Sequence, residues 1–249
     1  MRIYLVGGCA ALGAWAGALA VWPTYRLAVP LGTAPRGDCP RCRVGLPAGW
    51  RGWLRLGGRC PACRTALVAH SWAWPVVAAT GFATLAWRLP VRHPADVWLL
   101  GAWLLLTAVG LVLAGIDARV NRLPRPILAV AGGLIGALVA AAALAARNPE
   151  PALHAVITGA AFGGVYLVLA LIGSGPVGLG DVYLAGLLGL LLGTGRLAAI
   201  FVGAVLPYLL GAPITAARLL LGRVNRGDHV AWGPYLITGA VLAKVLFPL

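Results

Sequence analysis

Eight stretches of this chain contain no Asp, Glu, Lys or Arg: residues 3–25, 71–87, 97–116, 127–146, 152–173, 182–195, 197–217 and 230–243. A bilayer-spanning helix needs ~20 mostly apolar residues, within a range of ~17–25. Five of the runs meet that length outright, and 71–87 just reaches it. The two short ones, 182–195 and 230–243, require Arg196 or Lys244 to snorkel, or a helix end sunk below the surface. The runs are continuous rather than alternating, and rich in Ala, Leu and Gly, which argues against transmembrane strands. Charged residues make up 10% of the chain, against ~25% in soluble domains. The expected fold is therefore all-α: a polytopic membrane helix bundle of about eight transmembrane helices.

The net charge of +14 points first to topology, because Lys and Arg collect in cytoplasmic loops. With the N-terminus outside, the inner loops are 26–70, 117–126, 174–181 and 218–229. They hold fourteen arginines, eight of them in the first loop, against six basic residues outside: Arg2, Arg88, Arg92, Arg147, Arg196 and Lys244. That excess predicts an N-out, C-out chain. A nucleic-acid partner is not expected, since the basic residues are not interleaved with aromatics in a folded module. Residues 3–22, with "ALA" at 18–20, also fit a signal peptide, but a run followed by eight arginines favours a retained first span. Three parts are expected: a first span (1–25), a cytoplasmic insert (26–70) and a seven-span bundle (71–249). Small residues, as in "AGGLIGALVA" at 131–140, suit close helix packing.

The insert carries "CPRC" at 39–42 and "CPAC" at 60–63, or C-x2-C-x17-C-x2-C. That spacing matches two knuckles offering four thiolates at tetrahedral corners, as in a zinc ribbon. Cys39, Cys42, Cys60 and Cys63 are the candidate metal ligands, with Arg41, Arg43, Arg59 and Arg64 expected to favour the thiolates. A closed four-cysteine site leaves no open coordination position, so its zinc would be structural. Disulfides are the alternative, and they require an oxidising compartment. Cys9, inside the first run, is expected to be a small core residue.

The chain has six acids. Asp38, Asp96, Glu150 and Asp228 are placed in loops among arginines. Asp117 closes one uncharged run and Asp181 opens another, where an ionisable group is costly and marks a function. Counted from an outside N-terminus, both fall on the cytoplasmic face, so the two carboxylates are able to meet. A carboxylate pair that shares a proton can activate water while polarising a peptide carbonyl, the arrangement of acid proteolysis. The helix dipole should favour charge on Asp181, which starts a helix, over Asp117, which ends one. Gly178 and Gly180 permit positive φ or a close backbone approach, and Pro124 ends helical continuation after Asp117.

At these residues the chain resembles the prepilin peptidases, the type IV prepilin leader peptidases among the GxGD membrane aspartic proteases. Asp117 with Leu123-Pro124 matches the family's first aspartate and its following Leu/Ile-Pro step. Gly178, Gly180 and Asp181 match its GxGD sequence, the paired CxxC motifs match its cytoplasmic insert, and Gly233, Pro234 and Tyr235 are similar to its late glycine-proline-aromatic motif. The resemblance implies a bacterial inner-membrane enzyme whose active site faces the cytoplasm. There it would cut prepilins or pseudopilins after a glycine ending a short basic leader. It also implies S-adenosylmethionine as cofactor where the new N-terminus is methylated. Three positions depart from the pattern. Tyr183 replaces a lysine, Ala231-Trp232 replaces a Pro-Phe pair, and Trp74-Pro75 is followed by Ala78 in place of an acid associated with methylation. The rival function is a proton- or cation-coupled transporter using Asp117 and Asp181 as a relay. It calls for midplane carboxylates and repeats, and no repeat is visible.

Overall fold

The structure is a computed structural model that describes residues 2–172, 178–222 and 231–248. Its regular elements are helices: α1 (Arg2–Leu27), α2 (Trp50–Trp53), α3 (Ala73–Arg88), α4 (Pro94–Val120), α5 (Arg125–Ala146), α6 (Glu150–Ile172), α7 (Leu179–Leu192), α8 (Leu197–Leu220) and α9 (Gly233–Leu246). Each of the eight uncharged runs has its helix, and α2 is a single extra turn in the insert. Five helices, α1, α4, α5, α6 and α8, are long and apolar enough to cross a bilayer. Among the described residues there is no strand, and backbone bridges pair Asp38 with Gly45 and Arg59 with Ala66. The all-α membrane bundle expected from the sequence is what forms.

Glycine decides which helices touch most closely. Along the α6–α7 hairpin, a Cβ added at Gly189 would lie 2.7 Å from the Thr158 carbonyl oxygen. One added at Gly193 would lie 2.7 Å from the Ala155 Cα. The α1–α3 pair repeats this, with a Cβ on Gly13 falling 2.5 Å from the Ala78 carbonyl oxygen. In α9, Gly239 admits the ring of Pro207 from α8. Lipid tails are as apolar as leucine, so close van der Waals packing of this kind, more than hydrophobicity, holds membrane helices together.

The core is built from α4, α5, α7 and α9, where Trp103, Leu113, Ile135, Leu184, Leu191, Leu192 and Ala240 are fully or almost fully buried. Cys9 belongs to this cluster, as expected of a small core residue. The helices α7 and α9 have 14 residues each, or ~21 Å at ~1.5 Å per residue. The hydrocarbon core is ~30 Å thick. Each of these two helices is thus shorter than that thickness.

Local signals account for the ends of α4 and α5. Asp96, in the first turn of α4, accepts the backbone N–H groups of Arg92 and His93, both at 2.8 Å. It is a helix cap, and Glu150 likewise opens α6 rather than lying in a loop. At the other end of α4, Asn121 takes the left-handed conformation with φ 46° and stops the helix four residues after Asp117. Pro124 then caps α5, accepting the N–H groups of Ile127 and Leu128. Asp228 lies outside the described residues.

Candidate active site and cysteine centre

Three chain segments meet at one end of the bundle. Asp117, in the last turn of α4, is buried at 4% exposure, and its Oδ2 accepts the Gly233 N–H at 2.8 Å. Gly233 is the first residue of α9. Asp181 lies in the first turn of α7, and its Oδ2 accepts the Gly178 N–H at 3.0 Å. The two carboxylates are within electrostatic range of each other. They are brought together by backbone contact. A Cβ on Gly180, the residue before Asp181, would lie 2.8 Å from the Leu123 Cβ and 3.2 Å from its carbonyl oxygen. Leu123 is six residues beyond Asp117.

Of the two roles expected of the glycines, positive φ is not taken, whereas the close approach is present at Gly180. Gly178 has φ −83°, and Gly180 is not among the residues of positive φ. What Gly180 contributes is room for Leu123. Gly233 does the same for Asp117: a Cβ there would fall 2.8 Å from Oδ2 and 3.2 Å from Cγ. The expected dipole contrast between the aspartates also changes. Asp117 ends its own helix but receives an N–H from the start of α9, so both carboxylates sit at helix N-termini, where negative charge is favoured. Neither Arg119 nor Arg122 neutralises them. Arg119 donates to the Gly115 carbonyl at 2.5 Å, and Arg122 donates to the Val29 and Pro30 carbonyls at 3.2 and 3.1 Å. Among the described residues, the ion pair within 4.0 Å is Arg43 with Asp38.

Two phenols that sequence reasoning missed, Tyr166 and Tyr208, stand beside this site. The Tyr166 hydroxyl on α6 is 2.8 Å from the Tyr208 hydroxyl on α8. The Tyr208 ring lies 5.6 Å from Trp232 in a tilted arrangement, and Trp232 lies 6.0 Å from Tyr235, edge to face. Gly211 of α8 leaves space for both Trp232 and Tyr235. Trp232 adjoins Gly233, and Tyr166 is within electrostatic range of Asp181. The signal available in the sequence was two phenols inside uncharged runs, where each hydroxyl needs a partner. Pro234 occupies the first turn of α9, where a missing N–H is not needed.

The insert places its four sulfurs within 4.8 Å of one another. Sγ of Cys39 is 3.6 Å from that of Cys63, and Cys42 is 3.7 Å from Cys60. A disulfide would require ~2.05 Å, and all five cysteines are free thiols. The two knuckles are near copies: the Cys39 N–H bonds Val44 O, the Cys60 N–H bonds Thr65 O, and Arg43 and Arg64 take φ 59° and 55°. Local donors favour the thiolate at Cys39 and Cys63, whereas Cys42, lowered by the Val44 N–H but raised more by burial and the neighbouring sulfurs, is pushed up to about 11. The Thr65 hydroxyl and N–H pull the Cys63 thiol down to about 6, and the Cys42 N–H lowers Cys39. The centre packs on the end of α1 through Val21, Trp22 and Tyr25. Tyr25 donates to the Asp38 carbonyl at 2.9 Å, and Arg26 to the Pro47 carbonyl at 2.6 Å. Arg122 then ties residues 29–30, where the insert begins, to the loop after Asp117.

Residues 104–216 match the type IV leader peptidase family. Over these residues the chain is similar to that family. The segment includes Asp117, Pro124, Gly178, Gly180 and Asp181. It excludes the four cysteines and Gly233. The chain is also similar to a prepilin leader peptidase/N-methyltransferase of Bacillus subtilis, with 37% identity over 97 residues. That alignment covers 39% of this chain and 38% of the relative's length. No solved structure matches it.

Proposed function

We propose that this chain is a membrane-embedded aspartic endopeptidase that removes the short basic leader from type IV prepilins or pseudopilins. Asp117 and Asp181 are the catalytic pair. One observation carries this reading: sixty-four residues apart, the two acids converge at one rim of the bundle, each held by a backbone N–H at a helix start. In the reaction, water sits between the carboxyls. The charged one takes its proton as the oxygen adds to the peptide carbonyl, and the protonated one donates to the developing oxyanion. The resulting tetrahedral centre breaks its C–N bond, with the proton passing to the leaving amine. Gly233 fixes Asp117, Gly178 and Gly180 fix Asp181, and Pro124 sets the path between Leu123 and α5.

In this reading the chain lies in the bacterial inner membrane with its N-terminus outside and its site facing the cytoplasm, as the fourteen-to-six split of basic residues supports. The cysteine centre fits structural zinc. Bonds of ~2.3 Å in a tetrahedron put sulfurs ~3.8 Å apart, close to the 3.6 and 3.7 Å present. Four sulfurs this near cannot all carry charge without a cation among them. N-methylation is an activity named for the relative, and S-adenosylmethionine is the cofactor it would take here. Here Ala78 stands where the family has an acid, and Trp74 packs against Gly115 of α4 and Gly17 of α1. The transporter reading has less support, since both acids lie at helix ends.

The test is co-expression with a prepilin, following its mobility on a gel. Asp117→Asn and Asp181→Asn are each expected to abolish processing while the protein still inserts. Normal processing by both variants would refute the assignment.

A further inference from the structure

A cavity of about 270 Å³ separates α6 from α8, backed by α7 and α9. Its walls are apolar, with Phe162, Val165, Leu188, Ala204 and Leu236 among them. Val165 and Val205 beside it are 58% and 52% exposed, so the opening faces lipid. The glycine register of the α6–α7 hairpin, with Gly163 against Gly186 and Val182, sets Tyr166 at the level of Asp181. There the Tyr166–Tyr208 hydrogen bond spans the seam, and the ring series from Tyr208 through Trp232 continues to Gly233 and Asp117.

From this arrangement, and on the peptidase reading above, we infer that Tyr166 and Tyr208 form a latch across a lateral entrance. When a substrate segment enters, the two hydroxyls release each other and hydrogen-bond its unwound backbone beside Asp181. The physical reason is the environment. A peptide bond cannot be attacked while it is locked inside a helix, and unwinding it frees N–H and C=O groups. At bilayer depth such groups must find protein partners. In a cleft otherwise lined by carbon, the two phenols supply them, since each hydroxyl both donates and accepts. Tyr166 and Tyr208 are thus positioning residues whose bond in the resting protein keeps two hydroxyls satisfied until the substrate takes them over.

The test uses full-length protein in nanodiscs with a purified prepilin, comparing Tyr166→Phe, Tyr208→Phe and the double variant. Each ring remains, so packing is kept. Each single variant should lose about tenfold in kcat, the worth of one hydrogen bond, with KM and Tm nearly unchanged. The double variant should lose about a hundredfold, because each hydroxyl serves a different substrate group. A double variant no worse than either single one would show that the hydroxyls serve only each other, and would overturn the inference. So would an unchanged kcat, or a loss matched by a fall in Tm. A second measurement places a benzoylphenylalanine photo-crosslinker at Ala204 in the Asp181→Asn background. Capture of the prepilin next to its cleavage site is expected, and no capture refutes the entrance. If the Asp117→Asn and Asp181→Asn enzymes cleave normally, the underlying peptidase assignment fails instead.

Discussion

Gly233→Ala puts the geometry of the site to a sharp test, because helix propensity and site packing predict opposite signs. Gly233 opens α9, and replacing a helical glycine by alanine ordinarily stabilises by ~0.5–1 kcal/mol. Here the new methyl would stand 2.8 Å from Oδ2 of Asp117 and 3.2 Å from its Cγ, whereas ordinary contacts begin near 3.5 Å. The carboxylate must therefore retreat by roughly 0.7 Å, stretching the bond it accepts from the Gly233 N–H. A hydrogen bond to a charged group contributes ~1.5–3 kcal/mol, and a displacement of about 1 Å in a catalytic group costs as much as ~100-fold in rate. The expected fall in kcat is thus about 30- to 100-fold, with Tm unchanged or slightly raised. Gly178→Ala is the matched control. Its Cβ would lie 3.5 Å from Asp181 Oδ2, at φ −83°, so activity should stay within about threefold of wild type. The assay is single-turnover cleavage of a prepilin in detergent, alongside thermal unfolding of the same preparations. Wild-type turnover by Gly233→Ala, or equal damage from Gly178→Ala, would show that the N–H bond to Asp117 does not position a catalytic group.

Other substitutions probe the supports of the site. Gly180→Ala should lower turnover about tenfold by driving a methyl into Leu123, and Leu123→Ala added to it should restore much of the loss, measured in the same cleavage assay. Gly189→Ala, meeting the Thr158 carbonyl oxygen at 2.7 Å and the Phe162 Cβ at 2.8 Å, should destabilise the α6–α7 hairpin by about 1–3 kcal/mol, read as a lower Tm in detergent. Metal analysis of the purified protein should find one zinc per chain, lost in the Cys60→Ser/Cys63→Ser variant. A strong chelator should lower Tm by several degrees, without the immediate loss of cleavage expected of a catalytic metal.

The sequence alone determined the class of the protein. Runs of about twenty uncharged residues have few alternatives, because every backbone polar group in hydrocarbon must be satisfied within its own helix. The same cost of charge singled out Asp117 and Asp181 from the other acids, and the paired CxxC spacing foretold a four-sulfur cluster. These signals are local or compositional, and so they survive without coordinates. What holds the acids was decided by the tertiary structure. Of the two roles expected of Gly178 and Gly180, positive φ is not taken, and close approach holds at Gly180; that Leu123 is what approaches depends on a neighbour that no local pattern names. Asp117 was assigned the unfavourable end of its own dipole, and the start of α9, 116 residues later, reverses that. Tyr166 and Tyr208 were invisible for the same reason: a phenol inside an apolar run gives no hint of its partner until two helices fold beside each other. Polarity sets which residues are costly to bury, and only packing settles which groups meet that cost.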